Sequence, residues 1–194
     1  MQSKYYRFLN FPECCDFAQL EAELTPDLVP NENNHWRKSH WGYKTPVIFD
    51  SFHKWLWDTF GCELANIEVF YTAPHGVLPW HTDNNPPTEF VKINYIWGDI
   101  NGSRMLFGEI NTDKELVTTS TPVGTPYVSF KRDEVSFRES VLIRKPILAN
   151  IGKPHAVVNH SPTGRWCLCI VPMFNGKRIL FPDAVNIFSE CAVN

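Results

Sequence analysis

The chain has 194 residues, a net charge of -3 and a hydrophobic fraction of 43%, which are values typical of a folded domain with its own core. The small negative charge, without any long Lys/Arg block, argues against a nucleic-acid backbone as the main partner. No stretch approaches the roughly 18 apolar residues that a membrane span needs, and the N-terminal residues lack a signal-peptide pattern. We therefore expect a single cytoplasmic domain over residues 1–194.

The aromatic fraction of 14% is high, and it fits either a barrel with a lined pocket or simple core packing. The cysteines show no spacing typical of a secreted disulfide framework. Two are neighbours in sequence and two share one face of a predicted strand, so we interpret all of them as reduced and mostly buried thiols. The cysteines are Cys14, Cys15, Cys62, Cys167, Cys169 and Cys191.

Residues 1–63 are predicted to form a helical support for the rest of the chain. A first helix is predicted over residues 12–24, which begin at Pro12 and carry apolar side chains at helical spacing. Residues 25–45 have no sustained period and predict a long loop, which would form either a wall of a substrate site or a packed surface loop. Its aromatic, basic and imidazole side chains are His35, Trp36, Arg37, His40, Trp41 and Tyr43.

A second helix is predicted over residues 46–60. Ile48, Phe52, Trp55 and Phe60 form an apolar stripe suited to lying against a sheet. The residue that follows is a glycine, the type that most often ends a helix.

From residue 64 the sequence predicts a series of short strands separated by turn residues. The predicted strands are 65–72, 77–83, 90–97, 103–110, 126–130, 134–138, 146–151, 155–159, 165–172 and 177–181. Strands without helices between them indicate an antiparallel double sheet, with a core over 64–182 and a tail over 183–194. Periodicity does not distinguish a jelly roll from a simpler sandwich.

The stretch LPWHTD carries His81 and Asp83 on one predicted strand. Residues i and i+2 of a strand point to the same face, so this imidazole and this carboxylate can act together. They are two of the three ligands of the 2-His-1-carboxylate triad that holds non-haem Fe(II). An isolated H-x-D is also common as a surface pair, so the metal interpretation requires a second histidine.

Residues 153–171, KPHAVVNHSPTGRWCLCIV, offer two candidates for that histidine. His155 precedes an apolar run that predicts a strand, whereas His160 lies in a polar turn, and metal ligands need rigid support. This favours His155. Arg165 follows ten residues later, at the start of the next strand. It would either face solvent or, as a planar bidentate donor, hold the distal carboxylate of a dicarboxylate that chelates the metal.

His81, Asp83, His155 and Arg165, in this order and spacing, resemble the signature of the Fe(II)/2-oxoglutarate-dependent oxygenases. The surrounding segments VFYTAPHGVLPWHTD and PHAVVNHSPTGRWCLCIV are similar to the prolyl hydroxylase and aspartyl/asparaginyl β-hydroxylase branches. The resemblance spans roughly residues 64–172. It implies a mainly β fold, a double-stranded β-helix (jelly roll), with the two N-terminal helices packed on the outside.

The resemblance also implies roles for particular residues. The implied Fe(II) ligands are His81, Asp83 and His155. The implied contacts of the 2-oxoglutarate co-substrate are Arg165 for its distal carboxylate, with Tyr71 and Asn94 as further candidates. Tyr71 and Asn94 have an alternative interpretation as ordinary core or hydrogen-bonded strand residues.

The activity that the resemblance implies is a dioxygenase that uses O2 to hydroxylate a C-H bond of an amino acid, a peptidyl residue or a small metabolite. Succinate and CO2 would be the co-products. The presence of Asp83 favours oxygenation over halogenation, because related halogenases replace this carboxylate with a small residue. The alternative is a non-redox, cupin-like jelly roll that binds a metal or a small molecule.

The sequence also offers candidate contacts for the substrate. Residues 111–125 could flank the pocket. The basic residues that could meet an anionic substrate are Arg37, Lys38, Lys92 and Arg104.

Overall fold

The structure is a computed structural model that describes residues 2–12, 19, 21–22, 47–84, 86–98, 100–120 and 126–193. The predicted loop 25–45 lies outside the described residues, as do Cys14 and Cys15 and most of the predicted helix 12–24. Within that helix, Gln19, Glu21 and Ala22 are described, and they are helical.

The chain folds mainly into strands. The helices with described bounds are α1, Val47–Phe60, and α2, Phe181–Ile187. The strands are β1 Tyr6–Leu9, β2 Cys62–Thr72, β3 Val77–Thr82, β4 Val91–Gly98, β5 Ser103–Ile110, β6 Thr118–Ser120, β7 Pro126–Ser129, β8 Val135–Leu142, β9 Ile147–Asn150, β10 His155–Asn159, β11 Arg165–Phe174, β12 Lys177–Arg178 and β13 Ala192–Val193. Seven of these thirteen strands lie within two residues of a predicted strand; β2 and β8 are longer than predicted, β12 is shorter, and β1, β6 and β13 were not predicted.

The strands form two antiparallel sheets. The first has the order β12-β11-β4-β9-β1-β13, with β2 paired to β11 as well. The second has the order β6-β7-β3-β10-β5-β8. The chain passes from one sheet to the other at β2-β3-β4-β5 and again at β8-β9-β10-β11. A simple sandwich of meanders does not alternate in this way, so the double-stranded β-helix that we expected is confirmed.

Helix α1 packs on the outer face of the first sheet. Phe52 and Leu56, one helical turn apart, are 2% and 0% exposed, and Trp55 packs beside them at the edge of the same cluster. Gly61 adopts a φ of +64°, a conformation that glycine reaches without strain, and the helix ends there. Three members of the predicted apolar stripe, Phe52, Trp55 and Phe60, therefore face the sheet.

The first sheet is buried on both faces, because helices cover its outer face and the second sheet covers its inner face. In β11, Trp166, Leu168 and Ile170 join the helix-side core, while Cys167 and Cys169 join the core between the sheets. Strands buried on both faces appear in the sequence as continuous apolar runs. For this reason the apolar run located β11 in the sequence but did not show which of its faces packs against the helices and which faces the second sheet.

The two ends of the chain differ from prediction. Residues 177–181 were predicted as one strand, but the strand stops after two residues, and Phe181 begins α2 with Pro182 in its first turn. The predicted tail 183–194 contains the rest of α2 and also β13, which pairs with β1. Strand β1 was not predicted, because four residues carry too little pattern to identify a strand.

The helices and the cysteines of the described residues can be compared with the sequence predictions. Within the described ranges, no helix is long and apolar enough to cross a membrane. Cys62, Cys167 and Cys169 are buried free thiols, and Cys191 is a half-buried one, in agreement with the reduced, mostly buried cysteines that were predicted.

Candidate active site

The register of two antiparallel strands brings the two predicted histidine ligands together. His81 lies near the end of β3 and His155 begins β10, and the two residues are direct cross-strand partners. Their ring centroids are 4.2 Å apart. Asp83 follows just after β3, where its backbone N-H donates to the carbonyl oxygen of Ile151 at 3.1 Å. This hydrogen bond fixes the backbone of Asp83 beside the histidine pair.

The three side chains converge on one point. Asp83 Oδ1 lies 3.5 Å from His81 Nε2 and 3.6 Å from His155 Nε2. The ligand atoms of the three residues all lie within 4.8 Å of one another. Ligands about 2.1 Å from one metal stand about 3 Å apart on adjacent octahedral positions, so small side-chain movements suffice to bind an ion. The three residues form a group that could hold a metal.

Backbone carbonyls orient both imidazoles. His81 Nδ1 lies 2.7 Å from the carbonyl oxygen of Pro79, and His155 Nδ1 lies 2.9 Å from that of Lys153. A carbonyl oxygen only accepts, so each Nδ1 carries the hydrogen and donates it. Each Nε2 therefore presents a lone pair toward Asp83, which is the tautomer that a metal needs.

The protonation states also suit a metal. Burial lowers the pKa of His81 to about 3 and lowers that of His155, so both rings are neutral near neutral pH. Burial by itself would raise the pKa of the Asp83 carboxyl, but the Lys92 ammonium and the adjacent imidazoles hold it well below its usual range. Neutral imidazoles and an ionised carboxylate are the forms that bind metal ions.

Lys92 lies behind Asp83, where sequence reasoning did not place it. Its Nζ is 2.6 Å from Asp83 Oδ2 and 3.5 Å from Glu68 Oε2, and Lys92 and Glu68 are 6% and 1% exposed. Lys92 also lines the cavity, where its ammonium is already paired with these two carboxylates, and its contact with an anionic substrate stays a prediction. The signal in the sequence was a lysine within the apolar strand FVKINYIWG.

Arg165 is a buried cation that lacks an ionic partner within the described part of the chain. It is 3% exposed, begins β11 and lines the same cavity as the three candidate ligands. Its Nε has no hydrogen-bond partner among the described residues. A buried charge is costly unless it is paired, so this guanidinium marks a place where an anion would bind.

The candidate ligands and Arg165 line one cavity between the two sheets. Its walls combine polar and apolar groups. They include Phe70, Thr72, Asn94, Ile96, Met105 and Ile143. Such a mixture is typical of small-molecule sites, where apolar walls exclude water and a few polar groups orient the ligand.

Comparisons with known proteins give only distant likenesses. No protein-family model matches the chain. No curated protein matches it either. Among solved structures, AviO1 from Streptomyces viridochromogenes Tue57 is 11% identical, with a TM-score of 0.46, over 90% of this chain and 91% of that one.

Two further solved structures have similar values. HygX from Streptomyces hygroscopicus, with nickel and 2-oxoglutarate bound, is 14% identical, with a TM-score of 0.48, over 87% of this chain and 81% of that one. A Pseudomonas putida prolyl-4-hydroxylase is 12% identical, with a TM-score of 0.39, over 90% of this chain and 85% of that one. Identities of this size establish no family membership, so the function must be inferred from the site residues.

The structure separates the two remaining candidates for co-substrate contact. Asn94 is buried and lines the cavity, and its Oδ1 has no hydrogen-bond partner among the described residues. Tyr71 points to the opposite face of β2, where its ring lies 4.6 Å from that of Trp166. Adjacent strand residues face opposite ways, so Thr72 lines the cavity instead of Tyr71. The structure therefore does not bring Tyr71 to the candidate site.

Two further residues singled out from the sequence, His160 and Arg104, do not line the cavity. His160 is exposed in the turn after β10, as its polar surroundings predicted. Arg104 is also exposed, and its Nε donates to Ser140 Oγ at 2.6 Å. Arg37 and Lys38 lie outside the described residues, as do residues 121–125 of the predicted insertion.

Proposed function

We propose that the chain is a non-haem Fe(II)/2-oxoglutarate-dependent dioxygenase that hydroxylates a C-H bond of an amino acid, a peptidyl residue or a small metabolite. The proposal rests on a group of metal-ligating side chains and a buried cation that line one cavity. His81, Asp83 and His155 place their ligand atoms within 4.8 Å of one another, and Arg165, whose buried Nε has no hydrogen-bond partner among the described residues, lines the same cavity. A bound metal alone explains the converging ligand atoms. A dianion that chelates the metal also explains the buried cation in the same cavity.

The donor set fits Fe(II). Two imidazole nitrogens and one carboxylate oxygen on one side of an octahedral ion leave the remaining positions open to small molecules. His81 and His155 would bind through Nε2 and Asp83 through Oδ1, while Lys92 holds the other oxygen of Asp83. Bound Fe(II) and 2-oxoglutarate supply the oxidative chemistry, in which O2 is consumed and succinate and CO2 are released.

The protein would contribute binding, orientation and a dry cavity. Arg165 would bind the distal carboxylate of 2-oxoglutarate by charge-assisted hydrogen bonds, which would give a partner to the Nε that has none among the described residues. Asn94 would contact the co-substrate or a metal-bound water through its amide. The apolar walls, which include Phe70 and Ile96, would exclude bulk water from the reacting atoms.

A non-redox, cupin-like jelly roll is the other candidate. It also explains the three converging ligand atoms, but it leaves the buried charge of Arg165 without a partner in the described structure. The two candidates differ in one measurable property, because only the oxygenase requires a dianion to bind beside the metal.

The first experiment mixes the metal-free protein with Fe(II) and 2-oxoglutarate without oxygen. The oxygenase is expected to develop a weak visible charge-transfer band, and the non-redox candidate is not. Succinate release, measured in air across a panel of free amino acids and peptides, then identifies the substrate class.

Variants assign the roles. Asp83→Ala is expected to abolish metal binding and coupled succinate release. Arg165→Ala should keep the metal but raise the 2-oxoglutarate requirement about tenfold to a hundredfold, since hydrogen bonds to charged groups contribute about 1.5 to 3 kcal/mol. Arg104→Ala removes an exposed arginine and is the matched control, expected to behave as the unchanged protein. Normal succinate release by both site variants would contradict the proposal.

A further inference from the structure

Two cysteines in the cavity have no part in the proposed chemistry. Cys167 and Cys169 lie two residues apart on β11, and both point into the cavity between the sheets. Their sulfur atoms are 3.5 Å apart, and the residues are 7% and 6% exposed. The two thiols therefore touch each other in the space that a ligand of Arg165 would enter.

The charges around the pair make the two thiols unequal. The pKa of Cys167 is lowered because the Cys169 thiol donates a hydrogen bond to it, and because Arg165 and Lys92 favour the thiolate against the opposing charge of Asp83. The pKa of Cys169 is raised by burial, by the neighbouring Cys167 and by Glu68. One sulfur is thus the nucleophile and the other is a thiol placed to resolve an oxidised product.

A bond between the two sulfur atoms requires β11 to contract locally, which makes the bond a labile one. Alternate residues of a strand are about 6.6 Å apart at both Cα and Cβ, near the upper Cα limit for disulfides of about 6.8 Å and beyond the usual Cβ separation of about 3.5–4.5 Å. The sulfur atoms already lie 3.5 Å apart, so the backbone between the two residues must shorten to complete the bond. Strained disulfides are the ones that reducing agents open readily, which suits a reversible modification.

We propose that Cys167 and Cys169 form a reversible oxidation site for hydrogen peroxide within the cavity. The Cys167 thiolate attacks one peroxide oxygen and gives a sulfenic acid and hydroxide, which takes up a proton to form water. The Cys169 sulfur then attacks the sulfenic sulfur, its proton leaves with the displaced hydroxyl as a second water, and the sulfur-sulfur bond forms. The two thiols lose two electrons in total, and one peroxide gains them.

The other described cysteines lie in surroundings that do not favour this reaction. Cys62 is fully buried in the helix-side core, and burial raises its pKa to about 11. The pKa of Cys191 is also raised, by burial and by Glu190. A thiolate is the reactive form, so both react more slowly with peroxide than Cys167 does.

The effect on ligand binding rests on the proposed function. Arg165 lies two residues before Cys167 on the same face of β11, so contraction at the disulfide moves the guanidinium relative to the three metal ligands. Oxidation is therefore expected to weaken 2-oxoglutarate binding about tenfold or more, because misplacement by about 1 Å has effects of this size.

Peptide mass tests the bond itself. The metal-free protein is treated with peroxide, remaining thiols are alkylated, and trypsin is used to release the peptide from Trp166 to Lys177, which contains these two cysteines and no other. We expect this peptide to lose two hydrogen atoms, to escape alkylation and to regain both thiols with dithiothreitol. Cys191→Ser, the matched control, should behave identically, and Cys169→Ser should form no such bond. Two alkylated thiols, or irreversible oxidation in place of the bond, would overturn the proposal.

Binding tests the consequence. The affinity for 2-oxoglutarate is measured with Ni(II) in the metal site, for the reduced protein, the oxidised protein and the protein reduced again. Weaker binding after oxidation, restored by dithiothreitol and absent from Cys169→Ser, supports control by the dithiol, and equal affinities overturn it. If the reduced protein binds no 2-oxoglutarate, the proposed function fails, while the peptide mass still decides whether the oxidation site exists.

Discussion

The two carboxylate oxygens of Asp83 have different partners. Oδ1 faces the Nε2 atoms of both histidines, and Oδ2 lies 2.6 Å from the Lys92 ammonium. Glu68, 3.5 Å from the same ammonium, supplies a second negative charge, so the cation does not add net charge beside a metal ion. This arrangement leaves one oxygen of Asp83 for a metal and keeps the carboxylate from turning away.

Lys92→Met tests this positioning. The substitution keeps the volume but removes the ammonium that pairs with Asp83 Oδ2, so the carboxylate is no longer held by this ion pair. We expect the affinity for Ni(II) to fall about 10- to 100-fold, the usual effect of losing a partner behind a metal ligand. Titration calorimetry measures it, with the exposed Lys177→Met as the matched control. Unchanged affinity in Lys92→Met would show that Lys92 does not position Asp83.

The two imidazoles also link stability to pH. In the unfolded chain they take up protons near pH 6.5, whereas in the folded protein the pKa of His81 is lowered to about 3 and that of His155 is lowered too. The unfolded state then binds more protons below about pH 6.5, so the stability of the metal-free protein falls as the pH falls from about 7 to about 5. Asp83, with its lowered pKa, is ionised in both states over this window and offsets nothing.

Thermal unfolding of the metal-free protein at several pH values measures this dependence. His81→Gln, which keeps a polar side chain without a titrating group, should flatten the curve. His160→Gln, at an exposed position outside the cavity, is the matched control. The explanation fails if His81→Gln and the unchanged protein lose stability equally on acidification.

At the scale of elements, the turn before β11 sets where Arg165 begins. The Asn159 amide donates to the carbonyl oxygens of Ala73 and Thr163, at 3.0 and 2.8 Å, and ties this turn to the end of β2. Gly164 then passes directly against Tyr71, so closely that a Cβ at this position would lie 2.0 Å from the tyrosine hydroxyl. Tyr71 therefore supports the strand that carries Arg165, from the face opposite the cavity.

Gly164→Ala tests this contact. The added methyl group must displace Tyr71 or the turn, and overpacking of this kind costs about 1–3 kcal/mol of unfolding free energy. Tyr71→Val removes the colliding ring, so the double variant should lose less stability than the two single variants do together. Urea denaturation provides all four values of the cycle. Strictly additive losses would mean that the two residues do not press on each other.

At the scale of the whole molecule, the first and last described strands pack together at one edge of the first sheet. Strands β1 and β13 pair at the edge of the first sheet, and Phe188, between α2 and β13, is 0% exposed within the helix-side core. The C-terminal residues are therefore part of the structure that supports the first sheet.

Phe188→Ala measures that contribution. Removing a fully buried phenylalanine leaves a cavity, and we expect a loss of about 3–5 kcal/mol in unfolding free energy. Phe137→Ala is the matched control, because Phe137 is 46% exposed, and its effect should stay within about 0.5 kcal/mol. Equal effects of the two substitutions would contradict the assignment of the C-terminal residues to the core.

Much of this architecture could be predicted from local pattern. Turn residues and apolar runs located β3, β5 and β10 within a residue of their observed bounds, because strand formation leaves its pattern in neighbouring residues. Strands β1 and β13 were missed because each has too few residues to form a pattern. Their pairing depends on contacts between the two ends of the chain, which no local window contains.

For the candidate site as well, some features follow from local sequence and others only from the tertiary structure. The sequence by itself determined which residues could form a metal triad and in what order, since the spacing of His81 and Asp83 on one strand is a local property. Only the tertiary structure decided that His155 stands opposite His81, that Lys92 holds Asp83 and that Tyr71 faces away from the cavity. These outcomes depend on strand register and on which face each sheet buries, and a shift of one residue in register would have reversed them.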